Sequence, residues 1–117
     1  MTDRLDEIVV RLRDFVKLRD WAQFHDPKNL AMAVASEAGE LLAELRWIAS
    51  ADADAWVLVD ANKERVAQEA ADVGIALLLL CDRIGVDLVG AMAEKIELNA
   101  RNYPATISRG KHSRPRI

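Results

Sequence analysis

Apolar residues recur three or four positions apart along most of this 117-residue chain, the spacing that lines one face of an α-helix. Leu5, Ile8, Val9, Leu12, Phe15 and Val16 mark a first helix from about Asp3 to Ala22, with Arg19 ending the stripe in a charge. Residues 23–26 break the pattern. Asp26 followed by Pro27 is a start signal, since the Asp side chain accepts from free amides and Pro at the first helical position sacrifices no hydrogen bond. A second helix is therefore predicted from Pro27 to about Ile48, with Leu30, Val34, Leu41, Leu45 and Ile48 on its apolar side. Ser50, Asp52 and Asp54, around Trp56, form an acidic stretch that reads as a short helix or a flap. Asp60 is expected to cap a third helix that Gly85 stops at Ile84, and Asp87 to cap a fourth that reaches about Arg101 before Pro104 forbids continuation. Four amphipathic helices with short connections predict an all-α, four-helix bundle-like subunit.

The third segment adds a demand. Val66, Ala70, Val73, Leu77, Leu80 and Ile84 form one stripe, yet Ile75, Leu78 and Leu79 lie on other faces. A subunit this small leaves such a helix partly uncovered, so a homo-oligomer, dimer or tetramer, is expected to bury the second face.

Composition narrows the classes. The chain is 51% hydrophobic and 30% charged with five Gly and three Pro, which excludes wholesale disorder and collagen-like repeats. Its net charge of −3 conceals an asymmetry, because Arg109, Lys111, Arg114 and Arg116 all fall in the stretch 105–117, which has no acid. Removing those four from the sixteen basic residues leaves twelve against nineteen acidic ones. The body, 1–104, is thus a single acidic domain, poorly suited to a nucleic-acid polymer, whose binding depends on Lys and Arg neutralising many phosphates. Residues 105–117 read as a basic, flexible C-terminal tail. The lone Cys81 offers no internal disulfide and the first ten residues carry acids, so a cytoplasmic location is expected. The longest apolar run, 73–81, is too short to span a bilayer, and no membrane partner is expected.

Glu37, Glu40 and Glu44 stand at i, i+3 and i+7 on the second helix, within a sector of roughly 60° that overlaps the edge of its apolar stripe. Glu69 and Asp72 repeat the arrangement on the third. Two acidic pairs can thus face each other across a helix packing. A lone E-x-x-E is common on solvated faces, but unpaired carboxylates beside a core repel one another and are costly to desolvate. The second helix carries only Lys28 at its start and Arg46 on the far side as cations, so a divalent metal is the better counter-ion. All-oxygen ligands with no His three residues after a Glu favour Mg²⁺ or Mn²⁺ over zinc or a di-iron bundle.

The run Arg19-Asp20-Trp21 to Phe24-His25-Asp-Pro27-Lys28-Asn29-Leu30, then Glu37-Ala-Gly39-Glu40-Leu41 through Trp47, Glu69-Ala-Ala-Asp72-Val73 and Lys95-Ile-Glu-Leu-Asn99 through Tyr103-Pro104 resembles the MazG-like all-α nucleotide pyrophosphohydrolases, most of all the dCTP pyrophosphatase branch. The likeness extends over about 90 residues, from Arg13 to Pro104, in order and spacing. It implies hydrolysis of a nucleoside triphosphate between its α and β phosphates with Mg²⁺, Mn²⁺ being possible, by a dimer or tetramer engaged in nucleotide pool sanitation. It makes Glu37, Glu40, Glu69 and Asp72 the catalytic metal ligands, with Glu40 or Glu37 also available to orient or deprotonate the attacking water. Glu44 has no counterpart in the motif.

The same likeness places Lys95 and Asn99, one helical turn apart, on a phosphate group, and Tyr103 beside them. Trp21 and Trp47 correspond to an aromatic base pocket, and His25 and Asn29 to contacts with a base edge or phosphate. The branch carries a His near Leu12 and a Tyr near Ala76, so the chain departs from it at two pocket positions, and Asn102 stands where a basic residue often precedes the Tyr. Two rival classes remain. A non-catalytic helical adaptor gives no reason for carboxylates beside apolar stripes, and a carboxylate-bridged redox bundle calls for His ligands, whereas His25 and His112 lie in a loop and the tail.

Overall fold

The computed structural model describes residues 3–112 and, among them, is helical throughout with no strand. The four long helices expected from periodicity are present, with two shorter helices and one 3-10 turn besides. They are α1 (Arg4–Leu18), α2 (Pro27–Leu45), α3 (Ser50–Val57), α4 (Asp60–Ile84), α5 (Leu88–Asn102) and α6 (Ala105–Ser108). The four long helices do not form one block: a compact unit ending at Gly85 holds α1 to α4, and a second unit beginning at Val86 holds α5 and α6.

α1 ends four residues earlier than its stripe predicts. Asp20 enters the left-handed region at φ 52°, which short polar side chains tolerate better than most, and the Trp21 amide donates to the Val16 carbonyl at 3.1 Å. The chain turns back there through the 3-10 turn Ala22–Phe24. The Asp26-Pro27 start signal works as read, with the Asn29 amide donating to Asp26 Oδ1 at 2.9 Å. α2 stops at Leu45 rather than Ile48.

The acidic stretch after Ser50 takes the helical of its two alternatives. Asp60 is the first residue of α4 and not its cap; the junction is tied instead by Asn62 Nδ2, which donates to the Trp56 carbonyl at 2.9 Å. Gly85 closes α4 in the left-handed conformation, φ 71°, its amide donating to the carbonyls of Cys81 and Asp82. Asp87 occupies the cap position of α5 with an extended backbone, but its side chain accepts no capping hydrogen bond.

α2 packs along α4 far more extensively than α1 or α3 does. Among the described residues only Val16, Leu30, Ala76 and Cys81 are buried apolar groups, one each from α1 and α2 and two from α4. Large apolar side chains remain open, including Leu18, Phe24, Met32, Leu42 and Leu58. Leu79, which periodicity places off the main stripe, is half-buried and lines a cavity together with the chain's own Val16 and Leu30. The stretch expected as a tail opens with the four-residue α6, and residues 113–117 lie outside those described. No helix among the described residues is long and apolar enough to cross a membrane.

Candidate metal and nucleotide site

The extensive packing of α2 on α4 brings acidic residues from both helices together. Glu37 from α2 and Glu69 and Asp72 from α4 each offer a carboxylate oxygen within 4.8 Å of the others. Glu37 and Glu69 are half-buried and Asp72 is exposed. Among the described residues no Lys, Arg or His forms an ion pair with any of the three. Desolvation, followed by the charges of Asp72, Glu40, Glu37 and Glu44, pushes the Glu69 carboxyl above its ordinary range. Glu40 thus adds to the field of the cluster but stands outside its closest three members.

Glu44 belongs to a different arrangement. Its carboxylate accepts from Arg65 Nε at 3.3 Å, and Arg65 also donates to Asn62 Oδ1 at 2.8 Å. Arg65, a cation from α4, neutralises the one acid on α2 that the motif leaves without a role. Three oxygen donors at this spacing, with no nitrogen or sulfur among them, fit a hard divalent cation such as Mg²⁺ or Mn²⁺.

Glu37 and Asp72 open into a depression of about 210 Å³ whose opposite side is built by Phe24, His25 and Asn29. Four of the residues singled out from the sequence therefore line one cavity from α2, α4 and the turn before α2. Phe24, 59% exposed, is a lining residue without an assigned role in the sequence reading; an aromatic next to His25 in a helix-breaking stretch was its signal. Asn29 is partly committed, because its Nδ2 donates to the Phe24 carbonyl at 3.1 Å. That bond secures the turn holding Phe24 and His25.

His25, Ile75 and Leu79 also border a larger groove of about 830 Å³ between α1 and α4. Its walls include Leu12, Phe15, Trp21 and Leu78. Trp21 meets Phe15 edge to face at 5.7 Å, and the Arg19 guanidinium lies 3.6 Å over the other aromatic ring of that pair, Phe15. An acidic cluster, a small depression and an aromatic groove thus adjoin in one compact unit.

Two groups of expected site residues are placed otherwise. Trp47 lies past the end of α2, 83% exposed with Arg46 5.0 Å from its ring, and borders neither of these cavities, so within one chain it does not join Trp21 in a base pocket. Lys95 and Asn99 lie on α5 as exposed side chains, and the Tyr103 amide donates to the Asn99 carbonyl at 2.7 Å. These three residues belong to the unit that begins at Val86.

Known proteins share this sequence and fold. The chain is 41% identical over 101 residues to dCTP pyrophosphatase 1 of Rattus norvegicus and 35% identical over 96 residues to that of Homo sapiens. Those alignments cover 83% and 82% of this chain, and the chain spans only 57% and 56% of the length of these relatives. A crystal structure of a pyrophosphatase from Archaeoglobus fulgidus superposes with a TM-score of 0.81 at 36% identity, over 89% of this chain and 95% of that one. Residues 32–113 match the profile of the MazG-like family, taking in both acidic motifs. By that match, by these relatives and by its fold, the chain belongs to the MazG-like family.

Proposed function

We propose that this protein is a Mg²⁺-dependent nucleoside triphosphate pyrophosphohydrolase that releases a nucleoside monophosphate and pyrophosphate. The observation that carries the reading is the convergence of Glu37, Glu69 and Asp72, with no ion-pairing cation among the described residues, where Glu37 and Asp72 line a depression that adjoins an aromatic groove. Such a cluster repels a triphosphate unless cations intervene, so the acids and the substrate require the same partner. Glu37, Glu69 and Asp72 would hold that partner, with Glu40 supplementing their field; Mn²⁺ suits the same donors. When bound, a divalent cation neutralises the polyphosphate and polarises the attacked phosphorus.

The chain's own residues do the remaining work. Glu37 or Glu40 orients an attacking water and accepts its proton, as half-buried and solvent-facing carboxylates respectively. His25 lines both the depression and the groove, which supports its assignment to a base edge or a phosphate. Asn29 keeps His25 and Phe24 in position through the Phe24 carbonyl, and retains one amide hydrogen and its carbonyl oxygen for substrate. Phe15 and Trp21 supply apolar and aromatic surface for a base. Lys95, Asn99 and Tyr103 are assigned to the phosphates through their match to the family motif.

The substrate in this reading is dCTP or a modified pyrimidine deoxynucleotide, cleared from the cytoplasmic pool. The active form is a homo-oligomer, dimer or tetramer. The sparse core and the many open apolar side chains support association, and an oligomer gives the exposed Trp47 a surface to pack on. The deciding experiment incubates purified protein and Mg²⁺ with each canonical and modified triphosphate and quantifies monophosphate and pyrophosphate. Equimolar release of both products supports the reading. Orthophosphate release, or no turnover with any triphosphate, overturns it.

A further inference from the structure

A groove separates parts of α1 and α4, which pack together only sparingly: α1 contributes a single buried residue, Val16, and touches α4 over a short stretch. Something must hold α1 at that separation. At a smaller cavity that Val16 also lines, Arg13 of α1 presents one edge of its guanidinium to Asp82 of α4. Its Nε lies 3.1 and 3.0 Å from the two carboxylate oxygens, and Nη2 donates to one of them as well. Sixty-nine residues separate the partners in sequence, and among the described residues theirs is the one ion pair that joins α1 to another helix.

We propose that the Arg13–Asp82 pair is a latch that sets the width of the α1–α4 groove, making both residues positioning residues for whatever the groove binds. The placement supports this. Arg13 lies within one turn of Leu12, Phe15 and Val16, so its reach to Asp82 constrains how α1 is rotated against α4. Leu12 and Phe15, one position before and two after Arg13, line the groove on its α1 side. Asp82 is two turns from Ile75 and one from Leu78, the α4 residues across the groove. The forked geometry constrains rotation as well as distance, which a Lys point charge does not. Neither residue touches the acidic cluster, so the latch acts on binding and not on the reacting phosphorus.

This inference rests on the functional reading only for its kinetic part, and amide hydrogen exchange judges the latch without turnover. In Arg13→Met and in Asp82→Asn, amides of α1 are expected to exchange about three- to fivefold faster, with α2 and the middle of α4 unchanged. KM for the best nucleoside triphosphate is expected to rise about fivefold, with kcat within about twofold of wild type. The double exchange Arg13→Asp with Asp82→Arg restores both, which a general packing defect does not predict. Arg13→Lys, a milder change, gives shifts of the same sign and keeps the test decisive if Arg13→Met fails to fold. Unchanged α1 exchange in the single variants overturns the latch, as does a kcat loss with KM preserved. A wild type that hydrolyses no triphosphate overturns the functional reading alone, because the exchange comparison still decides on the latch.

Discussion

Two stretches of α4 handle negative charge in opposite ways. Ten residues from Asp72, which joins Glu69 and Glu37 with no cation paired to them among the described residues, Asp82 is gripped by an arginine. The local chemistry responds accordingly: burial and neighbouring acids push Glu69 above the usual carboxylate range, whereas the Arg13 hydrogen bonds hold Asp82 below it. A carboxylate satisfied within the chain has completed its part when the fold forms. A cluster left unsatisfied lowers stability in the free protein and gains from an outside cation, the expected character of a site as opposed to a strut.

The sharpest way to break this contrast is Asp72→Asn. Loss of a ligand charge is expected to lower kcat at least about a hundredfold for every triphosphate alike, in a steady-state assay with saturating Mg²⁺. Glu40→Gln is expected to act similarly if Glu40 serves the water, and less if it only shapes the field, so the ratio of the two effects ranks their roles. Next in size is a thermal effect of reversed sign. Glu69→Gln is expected to raise Tm in metal-free buffer by relieving repulsion, and to abolish the rise that Mg²⁺ gives wild type by binding only the folded state. A lower metal-free Tm in Glu69→Gln would place Glu69 among the struts.

Acid should pull the two stretches apart. Glu69 has a raised folded-state pKa, so metal-free stability increases as pH falls through that value, and the gain is complete near the unfolded value of about 4.3. Asp82 has a depressed one, so its contribution is intact above about 3.9 and is lost only as pH falls below that through the folded value. Denaturant titrations across this range are expected to show a rise before the acid decline, with Asp82→Asn losing part of the decline and Glu69→Gln the rise. The smallest expected effect is that of Glu44→Gln, whose carboxylate is already matched by Arg65. It should leave kcat within about threefold of wild type.

Backbone chemistry made the helix boundaries readable at Asp26-Pro27, Gly85 and Pro104, because each acts within a few residues of its own position. Periodicity likewise put Glu37 on an inward edge of α2, and Glu69 and Asp72 on one side of α4. The rotation of one helix against the other lies outside any one-helix pattern. Hence the sequence grouped four acids, while the structure draws three together and leaves Glu40 at the margin. Arg65 escaped notice for the same reason, being 21 positions from the acid it neutralises. So did the Arg13–Asp82 pair. The shortened α1 has a local cause in Asp20, but most Asp residues of the chain keep ordinary backbone angles, so its identity alone carried no warning. The Asn29 bond to Phe24 likewise depends on a turn geometry that no residue pattern spells out.

The three tryptophans carry a consequence of an optical kind. Trp56 is half-buried at the end of α3, Trp21 is 44% exposed against Phe15, and Trp47 is 83% exposed. Emission from the single chain therefore contains a solvent-relaxed, readily quenched contribution from Trp47 alongside two more sheltered indoles. Any contact that covers the end of α2 shifts that contribution toward the blue and shields it from iodide, while occupancy of the groove acts on Trp21 instead. The colour of the light distinguishes a chain covered at the end of α2 from one occupied in the groove.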